Sequence, residues 1–255
     1  MKKNVYAKKK FGQNFLTDTN VINKIIQISD PTNKNILEIG PGRGALTKIL
    51  TQLAKKVVCF EIDQDMVDVL NKEIISPNLQ IIHQDFLEAN INEYQNYSII
   101  ANIPYYITSD ILFKIFEHRN QFDKAYLMVQ KEVALRLVAQ VNSHDYSKLT
   151  LTTNYVCTPK VEFIVKANSF SPAPKVDSAI ISLTFNKNPI NYQQMSEFFK
   201  LCFLARRKKL SFSLKTKYSQ QAINDAYQKL SLDDNIRIQQ LSLEKVVELF
   251  NLLNL

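Results

Sequence analysis

The chain has 255 residues, which allows one large domain or two of modest size. Hydrophobic residues make up 45% and charged residues 22%, as in an ordinary globular protein, so a disordered or fibrous chain is excluded. The formal net charge is +8, which is typical of a protein with an anionic partner such as nucleic acid, although a solvated basic surface is the alternative. The 3 cysteines are far apart and the 3 histidines fit no zinc-hydrolase spacing, so we predict a reducing compartment and no bound metal.

The N-terminal stretch MKKNVYAKKK is basic, like the start of a signal peptide. The apolar segment that a signal peptide needs does not follow it, and no apolar run in the chain approaches the length that crosses a bilayer. We therefore expect a cytoplasmic protein that does not associate with membranes, and separately we expect a monomer.

Hydrophobic patterning predicts that strands and helices alternate through the first half of the chain. A first helix, capped by Thr19 or Asn20, precedes this alternation. The predicted strands cover 35–40, 56–62, 79–84, 97–103 and 125–130, and the predicted helices between them cover 45–54, 63–75 and 109–117. This order is typical of an α/β protein with a doubly wound parallel sheet.

The second half of the chain has a different pattern. Two extended stretches, 149–165 and 176–185, are joined by a segment that contains SFSPAPK, and they predict an antiparallel hairpin at the sheet edge. From Asn191 onward the apolar spacing is helical. We predict a first domain over 1–187, in which residues 1–18 form a basic RNA-binding head, and a helical domain over 188–255, with a hinge near 187–189.

Glycine is scarce and clustered. Average usage of about 7% would give roughly eighteen glycines, but the chain has 4, of which Gly40, Gly42 and Gly44 lie in the segment EIGPGRG. A glycine turn between a strand and a helix lets backbone amides approach a nucleotide-like ligand. The third glycine comes one residue earlier than in the dinucleotide motif, which favours S-adenosylmethionine over NAD. A tight turn without a ligand is the alternative.

Carboxylates follow the next two predicted strands. Glu61 ends the second strand, where doubly wound folds place the acceptor for the ribose hydroxyls of a nucleotide. Asp85 ends the third strand, where it could accept from an adenine amine while Phe86 packs beside the ring. An exposed acid at a strand end and a helix cap are the respective alternatives, but the joint spacing predicts one adenosyl site.

The fourth strand ends in Asn102-Ile103-Pro104-Tyr105, opposite the glycine turn. The exocyclic nitrogen of adenine is a poor nucleophile because its lone pair is delocalised into the ring. If the Asn102 side-chain oxygen and the Ile103 carbonyl each accept one of its N–H groups, that lone pair can point at a sulfonium methyl. Pro104 favours an extended Ile103, and Tyr105 can stack on the base. A simple Asn-x-Pro turn is the alternative, and the chemistry needs no general base.

Motifs along almost the whole chain resemble the KsgA family of small-subunit rRNA adenine dimethyltransferases. The resembling segments are FGQNFLTD at 11–18, EIGPGRGALT at 38–47, EID at 61–63, DFL at 85–87, NIPY at 102–105, VQKEVA at 129–134 with RL at 136–137, FSPAPKVDSA at 170–179 and RRK at 206–208. The resemblance implies a Rossmann-like class I methyltransferase fold with a small helical C-terminal domain. It also implies S-adenosylmethionine as cofactor and, as product, N6,N6-dimethyladenosine at two adjacent adenosines near the 3′ end of 16S rRNA in a small-subunit precursor.

The residue pattern and the resemblance together give the predicted site residues. The predicted reaction site consists of Asn102, Ile103, Pro104, Tyr105 and Phe170, of which Tyr105 and Phe170 would hold the target adenine. The predicted cofactor site consists of Gln13, Asn14, Leu16, Gly40, Gly42, Glu61, Ile62, Asp85, Phe86 and Asn102. Tyr106 departs from the family pattern, which usually has asparagine there, so the rim of the base pocket is expected to differ.

Three other functions share part of this pattern. An Erm-type methyltransferase acting on 23S rRNA shares the glycine turn and NIPY, but FGQN and VQKE are closer to KsgA. A DNA adenine methyltransferase would need a target-recognition domain that we do not find. A non-catalytic assembly factor would not need the Glu61, Asp85, Asn102 and Tyr105 set.

For RNA contact we predict two basic groups, which are Lys2, Lys3, Lys8, Lys9 and Lys10 in the head and Arg206, Arg207, Lys208 and Lys209 in the helical domain.

Overall fold

The computed structural model describes Lys8, residues 11–186 and residues 191–254. The described strands are β1 Phe15–Leu16, β2 Asn35–Ile39, β3 Lys56–Glu61, β4 Leu79–His83, β5 Tyr97–Asn102, β6 Phe122–Gln130, β7 Cys157–Val165, β8 Phe170–Ser171 and β9 Ser178–Phe185. The described helices are α1 Thr19–Ser29, α2 Thr47–Leu53, α3 Gln64–Glu73, α4 Thr108–Glu117, α5 Lys131–Leu137, α6 Lys148–Val156, α7 Tyr192–Cys202, α8 Leu210–Leu214, α9 Gln220–Leu230 and α10 Leu243–Leu253.

Seven of these strands form one sheet in the order β4-β3-β2-β5-β6-β9-β7. The pairs β3/β4, β2/β3, β2/β5 and β5/β6 are parallel, whereas β6/β9 is antiparallel. The chain moves outward from β2 to β4 and then returns to place β5 on the other side of β2. This reversal confirms the predicted doubly wound fold, and it leaves a crevice beyond the carboxyl ends of β2 and β5.

The described chain forms two compact units. The first ends at Ala134 and resumes over Pro159–Phe185, and the second contains Leu135–Thr158 and the described residues from Asn186 on. The prediction had assigned 135–158 to the first domain. The predicted hinge at 187–189 lies outside the described residues.

The predicted hairpin was too long at its start. The segment KLTLTTNYV is the helix α6, although its β-branched residues favour a strand. Ser147 caps this helix in a reciprocal capping box with Thr150, and Thr150, Thr152 and Thr153 are buried in it. Near the N-terminus, the residue that caps α1 is Asp18 and not Thr19 or Asn20 as predicted. The Asp18 side chain accepts from two backbone N–H groups of the helix.

Each unit has its own apolar core. In the first, the central strands β2 and β5 bury Ile36, Leu37 and Ile99 completely, as expected for a parallel sheet covered on both faces. In the second, Phe199 and Leu249 lie at the centre of a cluster of helices, which confirms the predicted helical pattern from residue 192 to 253. Within the described residues, no helix has the length and apolar character that crossing a bilayer would require.

Candidate active site

A cleft of about 290 Å³ opens at the carboxyl ends of β2, β3 and β5. Its lining comes from the N-terminal segment 11–17, the glycine turn, the end of β3, the turn after β4 and residues 102–107. All predicted cofactor and reaction residues line this cleft except Phe170. The sheet therefore brings residues from distant parts of the sequence to one place.

The glycine turn is held in a backbone conformation that favours glycine. Gly40 has φ +64°, and a Cβ atom there would have as its nearest neighbours Pro104 Cδ at 3.9 Å and the Asn102 carbonyl oxygen at 4.0 Å. A Cβ at Gly40 would make ordinary van der Waals contact with these atoms, so the backbone conformation rather than lack of space favours glycine. Gly42 has φ +56° and lies against the ring of Phe15, where a Cβ would approach to 3.1 Å. The turn leaves room for a ligand between the tips of β2 and β5.

Glu61 braces this turn from the end of β3. Its Oε2 accepts the Gly42 backbone N–H at 3.0 Å, and its Oε1 accepts the Asp63 N–H at 2.9 Å. The side chain is buried, and burial raises the pKa of its carboxyl. A carboxylate has about four acceptor positions, so Glu61 keeps acceptor capacity beyond its backbone donors, which suits the hydroxyls of a ribose.

The turn after β4 carries Asp85 and Phe86. Asp85 Oδ1 accepts the Leu87 N–H at 2.8 Å, and the Phe86 ring packs edge-on against Phe60. Lys114 of α4 holds this turn, because its Nζ donates to the carbonyls of Leu87 at 2.8 Å and Ala89 at 2.6 Å. The same Nζ lies 5.4 Å from the centre of the Phe86 ring.

Sequence reasoning missed Lys114. Burial lowers the pKa of this lysine, and the nearby charge of Asp85 opposes that shift. Its signal was present in the sequence, since Lys114 interrupts the apolar run ILFKIF of a predicted helix. A lysine in such a position needs acceptors, and here they are carbonyls beside the predicted cofactor residues Asp85 and Phe86.

The N-terminal segment is fixed to the cleft through Asp63, which sequence reasoning also missed. Lys8 Nζ donates to Asp63 Oδ1 at 2.6 Å, and Gln13 Nε2 donates to Asp63 Oδ2 at 2.9 Å. Burial alone would raise the pKa of Asp63, but the hydrogen bonds from Lys8 and Gln13 outweigh it and lower the pKa. Lys8 also pairs with Asp65, so it is not a free contact for phosphate as predicted. Lys2, Lys3, Lys9 and Lys10 of the basic head lie outside the described residues.

Asn102 lies at the tip of β5, and a hydrogen bond to the N-terminal segment orients its side-chain amide. Its Nδ2 donates to the Asn14 carbonyl at 3.1 Å, which leaves Oδ1 as the acceptor end of the side chain. Ile103 is buried, and Pro104 follows it with φ −61° and ψ 132°. The hydroxyl of Tyr105 is hydrogen-bonded to that of Ser178, and burial raises the pKa of Tyr105.

Phe170 occupies a different environment. It lies in β8, opposite Leu16 of β1, and only 4% of it is exposed. It packs in the core of the first unit and is not among the residues that line the cleft. Its contact with the target adenine stays a prediction.

The second unit carries the other predicted basic group. Residues 198–224 contain basic but no acidic side chains. Arg206 uses a guanidinium nitrogen to donate to the carbonyls of Ser143 at 3.3 Å and His144 at 2.6 Å, so part of its donor capacity serves the fold. Arg207, Lys208 and Lys209 are exposed.

The strand order and the cleft at the β2/β5 switch fit a class I, S-adenosylmethionine-dependent methyltransferase. A family model described as "Ribosomal RNA adenine dimethylase" matches residues 4–255. The chain belongs to this ribosomal RNA adenine dimethylase family, so the resemblance found in the sequence is confirmed.

Individual relatives agree with this assignment. The chain is 51% identical over 252 residues to "Ribosomal RNA small subunit methyltransferase A" of Mycoplasmopsis synoviae (strain 53), with 97% of each chain covered. A dimethyladenosine transferase from Plasmodium falciparum has a similar structure, with a TM-score of 0.82, 28% identity and coverage of 92% of this chain and 95% of the other. The 23S rRNA methyltransferase ErmE has a TM-score of 0.73 and 27% identity, covering 95% of this chain and 100% of its own. The chain is an enzyme, an S-adenosylmethionine-dependent rRNA adenine dimethyltransferase, and the small-subunit assignment is favoured over the Erm alternative.

Proposed function

We propose that this enzyme dimethylates the N6 atoms of two adjacent adenosines near the 3′ end of 16S rRNA, within a precursor of the small ribosomal subunit. The observation that carries the proposal is the close approach of the glycine turn to the tip of β5. A Cβ at Gly40 would lie 4.0 Å from the main-chain carbonyl oxygen of Asn102, so a ligand on the turn lies next to the residue whose side-chain oxygen would accept from the target amine. The small-subunit substrate is supported by the name of the 51% identical relative.

The cleft residues fit S-adenosylmethionine by chemistry. Glu61 offers acceptors to ribose hydroxyls, Asp85 offers one to the adenine amine, and Ile62 and Phe86 supply apolar contact. Gly40 and Gly42 keep side chains away from the turn, while Gln13, Asn14 and Leu16 close the cleft from the N-terminal side. When bound, the cofactor supplies an electrophilic methyl group on a positively charged sulfur.

The chain's own part in the reaction is to prepare the target nitrogen. Asn102 Oδ1 and the Ile103 carbonyl each accept one N–H of the amine, which turns its lone pair out of the plane of the base. The Asn14 carbonyl holds the Asn102 amide so that the oxygen rather than the NH₂ group is available. Tyr105, anchored by Ser178, stacks on the base that has left its helix.

The basic groups support binding of the rRNA. Arg207, Lys208 and Lys209 are exposed on the second unit, and the net charge of +8 favours association with phosphate. Lys8 is engaged by Asp63 and Asp65, so its contribution is to hold the N-terminal segment. The proposal keeps the expectation of a cytoplasmic monomer, and it names the precursor particle as the partner of that monomer.

The proposal is tested with small subunits that lack the modification. These are incubated with the protein and labelled S-adenosylmethionine, and the 16S rRNA is digested and analysed by mass spectrometry. We expect dimethyladenosine at two adjacent positions near the 3′ end. Large subunits are the matched control, since an Erm-type enzyme would modify 23S rRNA instead. A folded protein that binds the cofactor and the particle but methylates neither rRNA would support the non-catalytic assembly factor.

A further inference from the structure

Two consecutive tyrosines at the cleft differ sharply in environment. Tyr105 is anchored through its hydroxyl to Ser178. Tyr106, the next residue of the same short 3₁₀ turn, lines the cleft but is 59% exposed. A large aromatic ring left open at the mouth of a substrate cleft is a candidate binding surface.

The ring of Tyr106 is supported from one side by Gly12. Gly12 has φ +58°, and a Cβ built there would lie 3.0 Å from Tyr106 Cδ1 and 3.4 Å from Cε1. A side chain at position 12 would require the ring to shift by a few tenths of an ångström, besides being strained in this backbone conformation. Gly12 is one of only 4 glycines in the chain, and the other three form the cofactor turn. Gly12 thus lets the backbone lie close against one side of an exposed ring.

We propose that Tyr106, supported by Gly12, is a stacking platform for the base next to the target adenosine in the rRNA strand. This inference rests on the proposed function, because it takes Tyr105 as the contact of the target base. If Tyr105 contacts the target adenine, the base next to that adenine in the strand lies near Tyr106, which follows Tyr105 in the turn. Aromatic rings stack on any base, and a ring already held in place loses little freedom when it binds.

The test compares steady-state methylation of small subunits at saturating S-adenosylmethionine. For Tyr106→Ala we expect the KM for the subunit to rise about 5- to 150-fold, the effect of losing one base–aromatic stack, with kcat within about threefold of the parent. Tyr106→Phe and Tyr106→Trp keep a flat ring, so they should stay within about threefold in KM. The dissociation constant of S-adenosylmethionine should be the same in all variants.

A double-mutant cycle tests the support by Gly12. Gly12→Ala shifts the ring, so at saturating S-adenosylmethionine it should raise KM by a larger factor in the parent than in Tyr106→Ala, and equal factors would refute the support by Gly12. Three results would overturn the inference in the presence of an active parent. The first is an unchanged KM in Tyr106→Ala. The second is an equal rise of KM in Tyr106→Phe, which would mean that the hydroxyl rather than the ring makes the contact. The third is a weaker affinity for S-adenosylmethionine that accounts for the rise of KM. A parent that methylates no small subunit would instead refute the proposed function.

Discussion

Glu61→Ala is expected to damage both the glycine turn and cofactor binding. The carboxylate is 5% exposed and accepts two backbone N–H groups, from Gly42 at 3.0 Å and from Asp63 at 2.9 Å. A buried donor left without a partner costs about 1–3 kcal/mol, so the free energy of unfolding should fall by roughly 2–6 kcal/mol. Loss of the proposed acceptor for the ribose hydroxyls should separately weaken the binding of S-adenosylmethionine by about 2 to 3 kcal/mol, or about 30- to 150-fold.

Two assays separate these effects. Urea unfolding without ligand gives the change in stability, and isothermal titration calorimetry on the folded variant gives the dissociation constant of the cofactor. Asp68→Ala is a matched control, since Asp68 is an exposed acid on the neighbouring helix α3 and should change neither quantity appreciably. An unchanged dissociation constant in folded Glu61→Ala would remove Glu61 from the cofactor site. Unchanged stability would refute its bracing of the turn.

Three further outcomes are expected. Lys114→Met should weaken the binding of S-adenosylmethionine about tenfold in calorimetry, because the turn that carries Asp85 loses two hydrogen bonds. An unaltered affinity would contradict the role of Lys114 in holding this turn. Burial raises the pKa of Glu38 from 4.5 to about 7, so the folded state binds the proton more tightly and stability falls as pH rises from 4.5 to 7. In urea unfolding, Glu38→Gln should lessen the fall in the free energy of unfolding between pH 4.5 and 7 by about 3 kcal/mol. A pH profile identical to that of the parent would refute the raised pKa of Glu38. Arg207→Ala should reduce the slope of log affinity for rRNA against log salt by about 0.7 to 0.9, whereas the exposed Lys229→Ala should leave it unchanged.

The central sheet could be predicted because its strands are buried on both faces and separated by helices of regular period. Strands β2 to β6 fall where the apolar runs do, within a few residues. The helix α6 could not, because its threonines favour a strand and its capping box acts only once Ser147 and Thr150 are in place. Side-chain burial in the folded unit decides the conformation of such segments.

The candidate site was predictable in its strand-end residues but not in the contacts that orient them. Gly40, Glu61, Asp85 and Asn102 follow strands, and parallel strands bring their carboxyl ends to one edge. The Asn102 amide, however, is oriented by the carbonyl of Asn14, 88 positions away in the sequence. Such a contact depends on how the N-terminal segment lies across the cleft, which no local pattern encodes.

The hydrogen bond between Asn102 and Asn14 also defines the most direct test of the account. Asn102→Ala should leave the fold intact and rRNA affinity nearly unchanged, because phosphate contacts dominate that affinity. Turnover should fall about 10²- to 10³-fold, as when one preorganised polar contact at a reacting centre is removed. The exposed Asn71→Ala of α3 is the control and should match the parent.

Single-turnover methyl transfer to purified small subunits, scored separately for mono- and dimethyladenosine, is the measurement. The Asn102 oxygen can accept from the amine in both rounds, whereas the contact to the Ile103 carbonyl is lost once the first methyl occupies that position. Asn102→Ala should therefore slow both rounds. If folded Asn102→Ala still forms dimethyladenosine within a few-fold of the parent rate, the tip of β5 is only a turn and the proposed preparation of the target nitrogen is wrong.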